Sequence, residues 1–286
     1  MTIYNISIIT STGFPYYHKD IKKLPDGIKL YQRFFDFTEI RDKPINPHDT
    51  SFELNAGLVS ALFGFAKNLD KEIRTLEFKS LTREIGEKTL EEKKGYKGDA
   101  LITAQTETYL LHKSVKEKVN TIYNSIISHK IPLEDSETIN EDEEKKIIDI
   151  LTDTDARNRV YDNQIEIQLL ATKFLEEMER YGLFNIIITS FDLSPIAIFG
   201  DKYTFQDIEI ILRNLGDIPE IDAFEWKHRQ GFYEGTQVWV YLINSGIGVT
   251  VEKLFEPYFY LLITGPESYL AEFPAKLTRE FNQILD

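Results

Sequence analysis

Five histidines are the residues of this chain best suited to bind a metal or move a proton, and their spacing argues against both roles. They are His18, His48, His112, His129 and His228. A zinc hydrolase needs two histidines four residues apart on one helix, and the closest pair here is far more widely spaced. The chain has no cysteine, which excludes thiolate nucleophiles, disulfides and cysteine-based zinc sites. We interpret the histidines as surface or hydrogen-bonded residues.

Three aspartates resemble the start of a calcium-binding loop but fail at its defining positions. Asp153, Asp155 and Asp162 follow the loop's early spacing. Its sixth position is Asn158 instead of glycine, and its twelfth is Gln164 instead of glutamate. These aspartates are more typical of a solvated helix N-terminus, where negative charge faces the positive end of the helix dipole.

Two glycine-containing segments suggest phosphate binding without the pattern that it requires. In Gly86-Glu87-Lys88-Thr89, a glutamate separates the glycine from the lysine. The glycines Gly246 and Gly248 lack a third glycine and precede a valine-rich strand instead of a helix. No Gly-x-Ser-x-Gly nucleophile motif is present. The sequence therefore predicts no catalytic residue, no cofactor and no metal. An enzyme whose polar residues meet only in the fold stays open as an alternative.

Aromatic residues form two clusters that are candidates for a protein-binding patch. The first contains Phe14, Tyr16 and Tyr17, with Phe34, Phe35 and Phe37 a little further along. The second surrounds one predicted hairpin and contains Trp226, Phe232, Tyr233 and Trp239. Most of these side chains are expected in the core. Any that reach the surface together would anchor a partner.

The charge and hydropathy of the chain narrow its possible partners. With 33 basic and 47 acidic residues, the net charge is −14, which repels nucleic acid and anionic membrane surfaces. The N-terminal residues lack a signal-peptide pattern, and no apolar run approaches the roughly 20 residues that span a membrane. We expect a cytoplasmic protein with no nucleic-acid partner and no integral membrane segment.

In the first half, two short strands precede a long helix, and further strands and a helix follow. The helix is predicted from an apolar stripe at spacings of three and four residues. That stripe consists of Leu54, Leu58, Leu62, Phe65 and Leu69. The predicted strands are 3–9, 14–18, 73–78 and 99–103, and a closing helix carries Leu111, Val115, Val119, Ile122 and Ile126.

An acidic segment divides the chain into two predicted domains. Residues 134–144 carry seven acidic residues and one aliphatic residue, too little apolar surface to offset the entropy of ordering. We predict an exposed linker at 133–156, in which Ile147, Ile148, Ile150 and Leu151 supply at most one docked helical turn. The two domains are then 1–132 and 157–286.

The second half repeats the order of elements of the first. A helix over 157–181 precedes strands 184–189 and 195–199, a helix over 205–215 ends at Gly216, and central strands are predicted at 238–243 and 258–263. A last helix over 267–285 should bend or restart at Pro274. Tyr4-Asn5-Ile6 and Phe184-Asn185-Ile186 stand at matching positions, which favours an internal repeat.

This order of elements resembles a known superfamily. A strand pair, the small-residue helix Leu54–Leu69 and the strand Ile73-Arg74-Thr75-Leu76-Glu77-Phe78 together resemble a longin domain, particularly the longin-like proteins of archaea rich in small GTPases. The second half, with a helix before its first strand pair, is similar to the related roadblock arrangement. The resemblance implies an α/β fold of two longin/roadblock-like domains, each with a mainly antiparallel five-stranded sheet flanked by helices.

What the resemblance implies for function is binding. Longin and roadblock domains pair through helices or sheet edges into homo- or heterodimeric platforms that hold or regulate small GTPases in vesicle-trafficking complexes. The expected partner is a small GTPase or another longin/roadblock protein, and any membrane contact would be peripheral and made through that partner. The alternative is a structural adaptor or oligomerisation protein that contacts no GTPase.

The helix Leu54–Leu69 also carries the candidate partner-binding residues. Gly57, Ala61, Gly64 and Asn68 form a stripe beside the apolar one. Small residues let a second helix approach closely, and glycine inside a helix costs about 1 kcal/mol that an interface would offset. We predict that this stripe meets the other domain, a second subunit or a partner.

Overall fold

The computed structural model of the protein describes residues 2–10, 13–37, 100–133 and 138–286. Over these residues the fold is mixed α/β, with two antiparallel sheets of four and five strands and six α-helices. All four described ranges belong to one compact unit. The helix predicted at 54–69, with its stripe of small residues, and the strand predicted at 73–78 lie outside the described residues.

The first sheet, sheet A, has the strand order β2-β1-β4-β3, and all its neighbours are antiparallel. The strands are β1 (Ile3–Thr10), β2 (Pro15–Asp20), β3 (Leu30–Asp36) and β4 (Ala100–Glu107). Ile6 and Ile8 are buried while Asn5 and Ser7 are only partly covered, the alternation of a strand with one face on the core. Helix α1 (His112–Ser125) follows β4 and buries the predicted stripe of Val115, Val119 and Ile122.

Residues 141–152 and 154–156 lie in helices, so the prediction of an exposed linker over 133–156 was wrong for these residues. Helix α2 (Glu141–Thr152) begins with a capping box, in which Asn140 and Glu143 bond each other's backbone N–H groups. Acidic residues fill its first turn, where the helix dipole favours them. Ile147, Ile150 and Leu151 are buried, and their burial stabilises the helix. The division into two domains stays a prediction.

The single helix predicted over 157–181 is two helices. Helix α3 (Thr154–Asp162) and helix α4 (Gln164–Met178) meet at Asn163. The Asn163 side chain donates to the carbonyl of Arg159 at 2.8 Å, a local bond that competes with the regular helical ladder.

The second sheet, sheet B, has the order β6-β5-β9-β8-β7 and is antiparallel throughout. Its strands are β5 (Leu183–Thr189), β6 (Pro195–Phe199), β7 (Trp226–Tyr233), β8 (Thr236–Val251) and β9 (Leu254–Thr264). The apolar runs predicted as central strands lie in β8 and β9 and are confirmed.

Helices cover both faces of sheet B. Ile186 and Tyr260 pack against α4 and against α6 (Phe273–Leu285) on one face. Ile187 and Leu261, one residue along each strand, pack against α5 (Phe205–Arg213) on the other. Helix α6 begins at Phe273, with Pro274 in its first turn, so the helix predicted over 267–285 was wrong for residues 267–272.

A buried ion pair links sheet A to helix α5. Arg213 donates to both carboxyl oxygens of Glu107, at 3.0 and 2.6 Å, and the Tyr4 hydroxyl also bonds this carboxylate. Glu107 is fully buried at the end of β4. A buried carboxylate is stable only when it is paired and hydrogen-bonded, so Glu107 and Arg213 must stay in contact. This contact holds the end of β4 against α5.

Candidate functional site at an exposed sheet edge

Strand β7 is one of the two edge strands of sheet B, with β6 at the opposite edge. A two-residue turn at Glu234 and Gly235 joins it to β8, and both turn residues have positive φ, 48° and 78°. This is the type I′ turn whose twist matches a β-hairpin. The flanking pair Tyr233 and Thr236 is then hydrogen-bonded, and hydrogen-bonded pairs alternate along the strand.

The alternation leaves one row of backbone groups pointing away from the sheet. The N–H and C=O groups of Trp226, His228, Gln230 and Phe232 face the open edge. Within the described part of the chain, one side chain reaches this row: Asn214 donates to the Phe232 carbonyl at 3.2 Å. An exposed row of this kind can accept a strand from another chain.

Aromatic side chains stand on one face of this edge. Trp226 is 39% exposed, and the His228 ring lies 5.1 Å from the Trp239 ring and 5.5 Å from the Tyr241 ring, centroid to centroid. Phe232, on the same face, is 46% exposed. Of the predicted second cluster, Trp226, Trp239 and Phe232 therefore reach this surface together.

The fourth residue of that cluster belongs to the opposite face. The Tyr233 hydroxyl donates to Asp207 at 2.5 Å, and its ring packs edge-on against Tyr203 at 5.3 Å. Tyr233 thus helps to dock α5.

The first aromatic cluster does not form a shared patch. Phe14 and Phe34 are exposed, but they lie at β2 and β3, the opposite edges of sheet A. Phe35 is buried, and Phe37 stacks on Tyr123 at 4.1 Å. Phe35 and Phe37 belong to the core of sheet A, and the Tyr17 hydroxyl donates to Glu144 of α2 at 3.3 Å.

A second apolar surface runs along helices α3 and α4. Ile165 and Leu169 stand four residues apart on α4 and share one face of it, and Tyr161 lies near the end of α3. All three are more than two-thirds exposed, with Ile165 at 78%. This surface offers three large side chains and no exposed backbone groups, so it gives a partner less to bind than the β7 edge does.

A buried charged cluster connects the two halves of the chain. The Lys118 ammonium lies 2.5 Å from Asp153 and 3.2 Å from Asp192, and all three side chains are almost completely buried. Asp192 also accepts hydrogen bonds from the hydroxyls of Thr2 at 2.6 Å and Ser190 at 2.7 Å. The cluster thereby ties β1 and α1 to the β5–β6 loop.

The pKa values of the two aspartates in this cluster shift in opposite directions. Burial alone would raise the pKa of Asp192, but Lys118 and the hydroxyl donors hold it below its usual range. Burial, together with the charge of Asp192, raises the pKa of Asp153 to about 6. The pKa of Lys118 is raised because its two aspartates outweigh the effect of burial.

Glu256 adds a third carboxyl group to the cluster. It is 1% exposed, and neither of its oxygens has a hydrogen-bond partner among the described residues. Burial and the charge of Asp153 raise its pKa to about 8. Glu256 is therefore protonated at neutral pH, which limits the negative charge that Lys118 must balance.

Because its side chains are buried, this cluster has a structural role in the fold described. Lys118 is 0% exposed, so a substrate cannot touch its amine unless the surrounding elements move. One feature of the sequence could have indicated this cluster, although it is not a known motif. Lys118 falls on the same face of α1 as the buried Val115 and Ile122. A lysine on an apolar face needs buried acidic partners.

The histidines occupy unrelated positions. His18 contacts Ser7 and Asp20, and His112 contacts Arg33, while His228 belongs to the aromatic surface at β7. No group of three or more histidine, aspartate or glutamate side chains in the described ranges is arranged to hold a metal. His48 lies outside those ranges, as do the segment 86–89 and the small residues Gly57, Ala61, Gly64 and Asn68.

The remaining candidate motifs have structural places in the described fold. Asp153 takes a left-handed conformation, with φ of 54°, between α2 and α3, where it bonds Lys118 instead of forming part of a loop. Gly246 and Gly248 lie in β8 at an irregularity in its pairing with β9. A β-carbon on Gly248 would stand 2.0 Å from the Glu256 carbonyl, so this glycine permits the close approach of two strands.

Comparisons with known proteins add no relative. No family model and no curated protein matches the chain. The longin and roadblock assignment therefore stays a prediction. None of the helices described here is long and apolar enough to cross a membrane.

Proposed function

We propose that this chain is a non-enzymatic protein-interaction platform that binds or regulates a small GTPase in a trafficking-type complex. It would work in the cytoplasm and reach membranes only through its partner. The observation that carries the proposal is the open edge of β7, where exposed backbone groups and exposed aromatic side chains stand side by side.

The order of elements in the second half supports a roadblock-like interpretation. Helix α4 precedes the strands β5 and β6, helix α5 follows, and then come β7, β8, β9 and the closing helix α6. This is two strands, a helix, three strands and a closing helix, with one further helix in front. It is the order expected from the resemblance of 157–286 to a roadblock domain.

Open edges normally carry protection against unwanted pairing, and β7 has for this purpose the cations Lys227 and Arg229. It is eight residues long, contains no proline and has a regular register with β8 over its whole length. Its charged residues are confined to its first half. A regular edge with adjacent aromatic anchors is a common basis for partner binding.

The test is binding and nucleotide exchange with a panel of small GTPases loaded with fluorescent GDP. The variant Gln230→Pro removes one outward N–H without removing a bond to β8, and Gln230→Thr is its matched control. We expect at least one GTPase to bind the wild type and Gln230→Thr, and to bind Gln230→Pro at least roughly tenfold more weakly.

Two outcomes would contradict the proposal. If no GTPase in the panel binds, while other proteins bind through β7, the chain is an adaptor without GTPase contact. If a GTPase binds equally well to Gln230→Pro, the edge of β7 is not the binding surface.

A further inference from the structure

The two faces of β7 differ in chemistry. Trp226, His228 and Gln230 lie on the face shared with Trp239 and Tyr241. Lys227 and Arg229 point to the opposite face, because successive side chains alternate along a strand. The edge therefore presents cations on one face and aromatic rings on the other.

Lys227 and Arg229 have no acidic partner within the described part of the chain. The Lys227 ammonium donates to the backbone carbonyl of Glu220 at 2.8 Å, and both side chains belong to exposed residues. The whole chain carries a net charge of −14, and Lys227 and Arg229 place two exposed cations two residues apart on this edge strand. Unpaired edge cations act on whatever strand lies opposite them.

These cations oppose pairing of β7 with a second copy of itself. In antiparallel self-pairing, the outward residues Trp226, His228 and Gln230 must face one another about a two-fold axis. If the axis passes through His228, Lys227 faces Arg229 of the copy. If it lies one residue to either side, Lys227 faces Lys227 or Arg229 faces Arg229. Like charges directly opposite are destabilising in each of these three registers, which are centred on residues 227, 228 and 229.

We propose that the edge of β7 binds an extended segment of a partner protein in which acidic residues alternate with apolar residues. Two acidic side chains two residues apart would stand opposite Lys227 and Arg229, at cross-strand distances of about 5 Å. The intervening apolar side chains would lie against Trp226 and His228 on the other face. This inference rests on the proposed function and adds the chemistry of the partner.

The structure offers a specific reporter for this binding. Trp226 and Trp239 are the only two tryptophans of the chain, and both lie at this edge. Intrinsic tryptophan fluorescence therefore reports on β7 and the adjacent strand β8. The probes are three eight-residue peptides in which valine alternates with glutamate, glutamine or lysine.

We expect the valine–glutamate peptide to bind the wild type at least roughly tenfold more tightly than the valine–lysine peptide, with the glutamine peptide between them. The double variant Lys227→Glu/Arg229→Glu should reverse this order. The milder Lys227→Gln/Arg229→Gln should remove the preference while leaving the far-ultraviolet circular dichroism spectrum unchanged. Added salt should weaken the glutamate peptide most.

The outcomes separate the two proposals. Equal binding of all three peptides, abolished by Gln230→Pro, would overturn the acidic preference and leave the binding edge intact. Binding of none of them would mean that Lys227 and Arg229 only protect the edge from pairing, which also overturns the inference. A partner GTPase that still needs β7 would then support the proposed function alone.

Discussion

Replacing Glu256 by glutamine should remove most of the pH dependence of stability between pH 5 and pH 8.5. Glu256 has a pKa of about 8 in the folded protein, against 4.5 for an exposed glutamate. Between these values the folded state keeps a proton that the unfolded state has lost. The free energy of unfolding therefore falls as pH rises, until the folded carboxyl ionises near pH 8.

The size of the effect follows from the two pKa values. Each pH unit within this window costs about 1.4 kcal/mol, so the wild type should lose about 4 kcal/mol between pH 5 and pH 8.5. Asp153, with a pKa of about 6, adds a smaller fall of the same sign that the wild type and the variant share. A glutamine at position 256 has the same shape and stays neutral throughout.

Urea unfolding followed by far-ultraviolet circular dichroism at pH 5, 6, 7 and 8.5 measures these free energies. We expect Glu256→Gln to match the wild type at pH 5 to within about 1 kcal/mol and to exceed it by about 4 kcal/mol at pH 8.5. Glu267→Gln, at an exposed residue, is the control and should follow the wild type. Parallel curves for wild type and Glu256→Gln would refute the assignment of a buried, protonated Glu256.

Three further substitutions test the junctions inside the fold. Lys118→Met should lower the free energy of unfolding at pH 7, measured with urea, by about 3 to 5 kcal/mol, because it leaves two buried aspartates without their cation. A loss below about 1 kcal/mol would mean that water enters the cluster. Arg213→Met should lower the free energy of unfolding by a similar amount, because the Glu107 carboxylate loses the side chain that donates two hydrogen bonds to it. An unchanged midpoint of urea unfolding would mean that the Glu107 carboxylate is exposed to solvent. Gly248→Ala should lower the melting temperature by about 5 °C or more, since the new methyl group meets the backbone of Glu256, whereas Thr250→Ala nearby should change it little.

Elements of the fold could be predicted from the sequence where local residue patterns determine the structure. Runs such as Tyr258–Ile263 are continuously apolar because helices cover both faces of sheet B, so they were recognisable as central strands. The buried stripe of α1 and the place of Pro274 in the first turn of α6 follow from residue chemistry within one or two turns.

Residues 141–152 are helical because capping and apolar spacing outweigh their acidic composition. Asn140 and Glu143 have the spacing of a capping box, and Ile147, Ile150 and Leu151 have helical spacing. Both signals are present in the sequence. Acidic residues near a helix N-terminus stabilise the helix, so their abundance does not argue for a linker.

The candidate site depends on long-range pairing that a single sequence does not determine. The aromatic cluster around Trp226 and Trp239 was recognisable, but its exposure depends on β7 being the last strand of the sheet. That position is set by the pairing of β8 with β9 and of β9 with β5, across separations of up to about 80 residues. Lys118 likewise meets Asp153 and Asp192 only in the folded chain.

Amide hydrogen exchange across β7 tests the central claim most directly. The exchange rates of residues 226–233 would be recorded for the chain alone and with each small GTPase of the panel. We predict that at least one GTPase slows exchange at the outward amides of Trp226, His228 and Gln230, while the amides of Lys227 and Arg229, which already bond to β8, change little. Unchanged exchange at the outward amides with every GTPase would contradict a platform that binds through this edge.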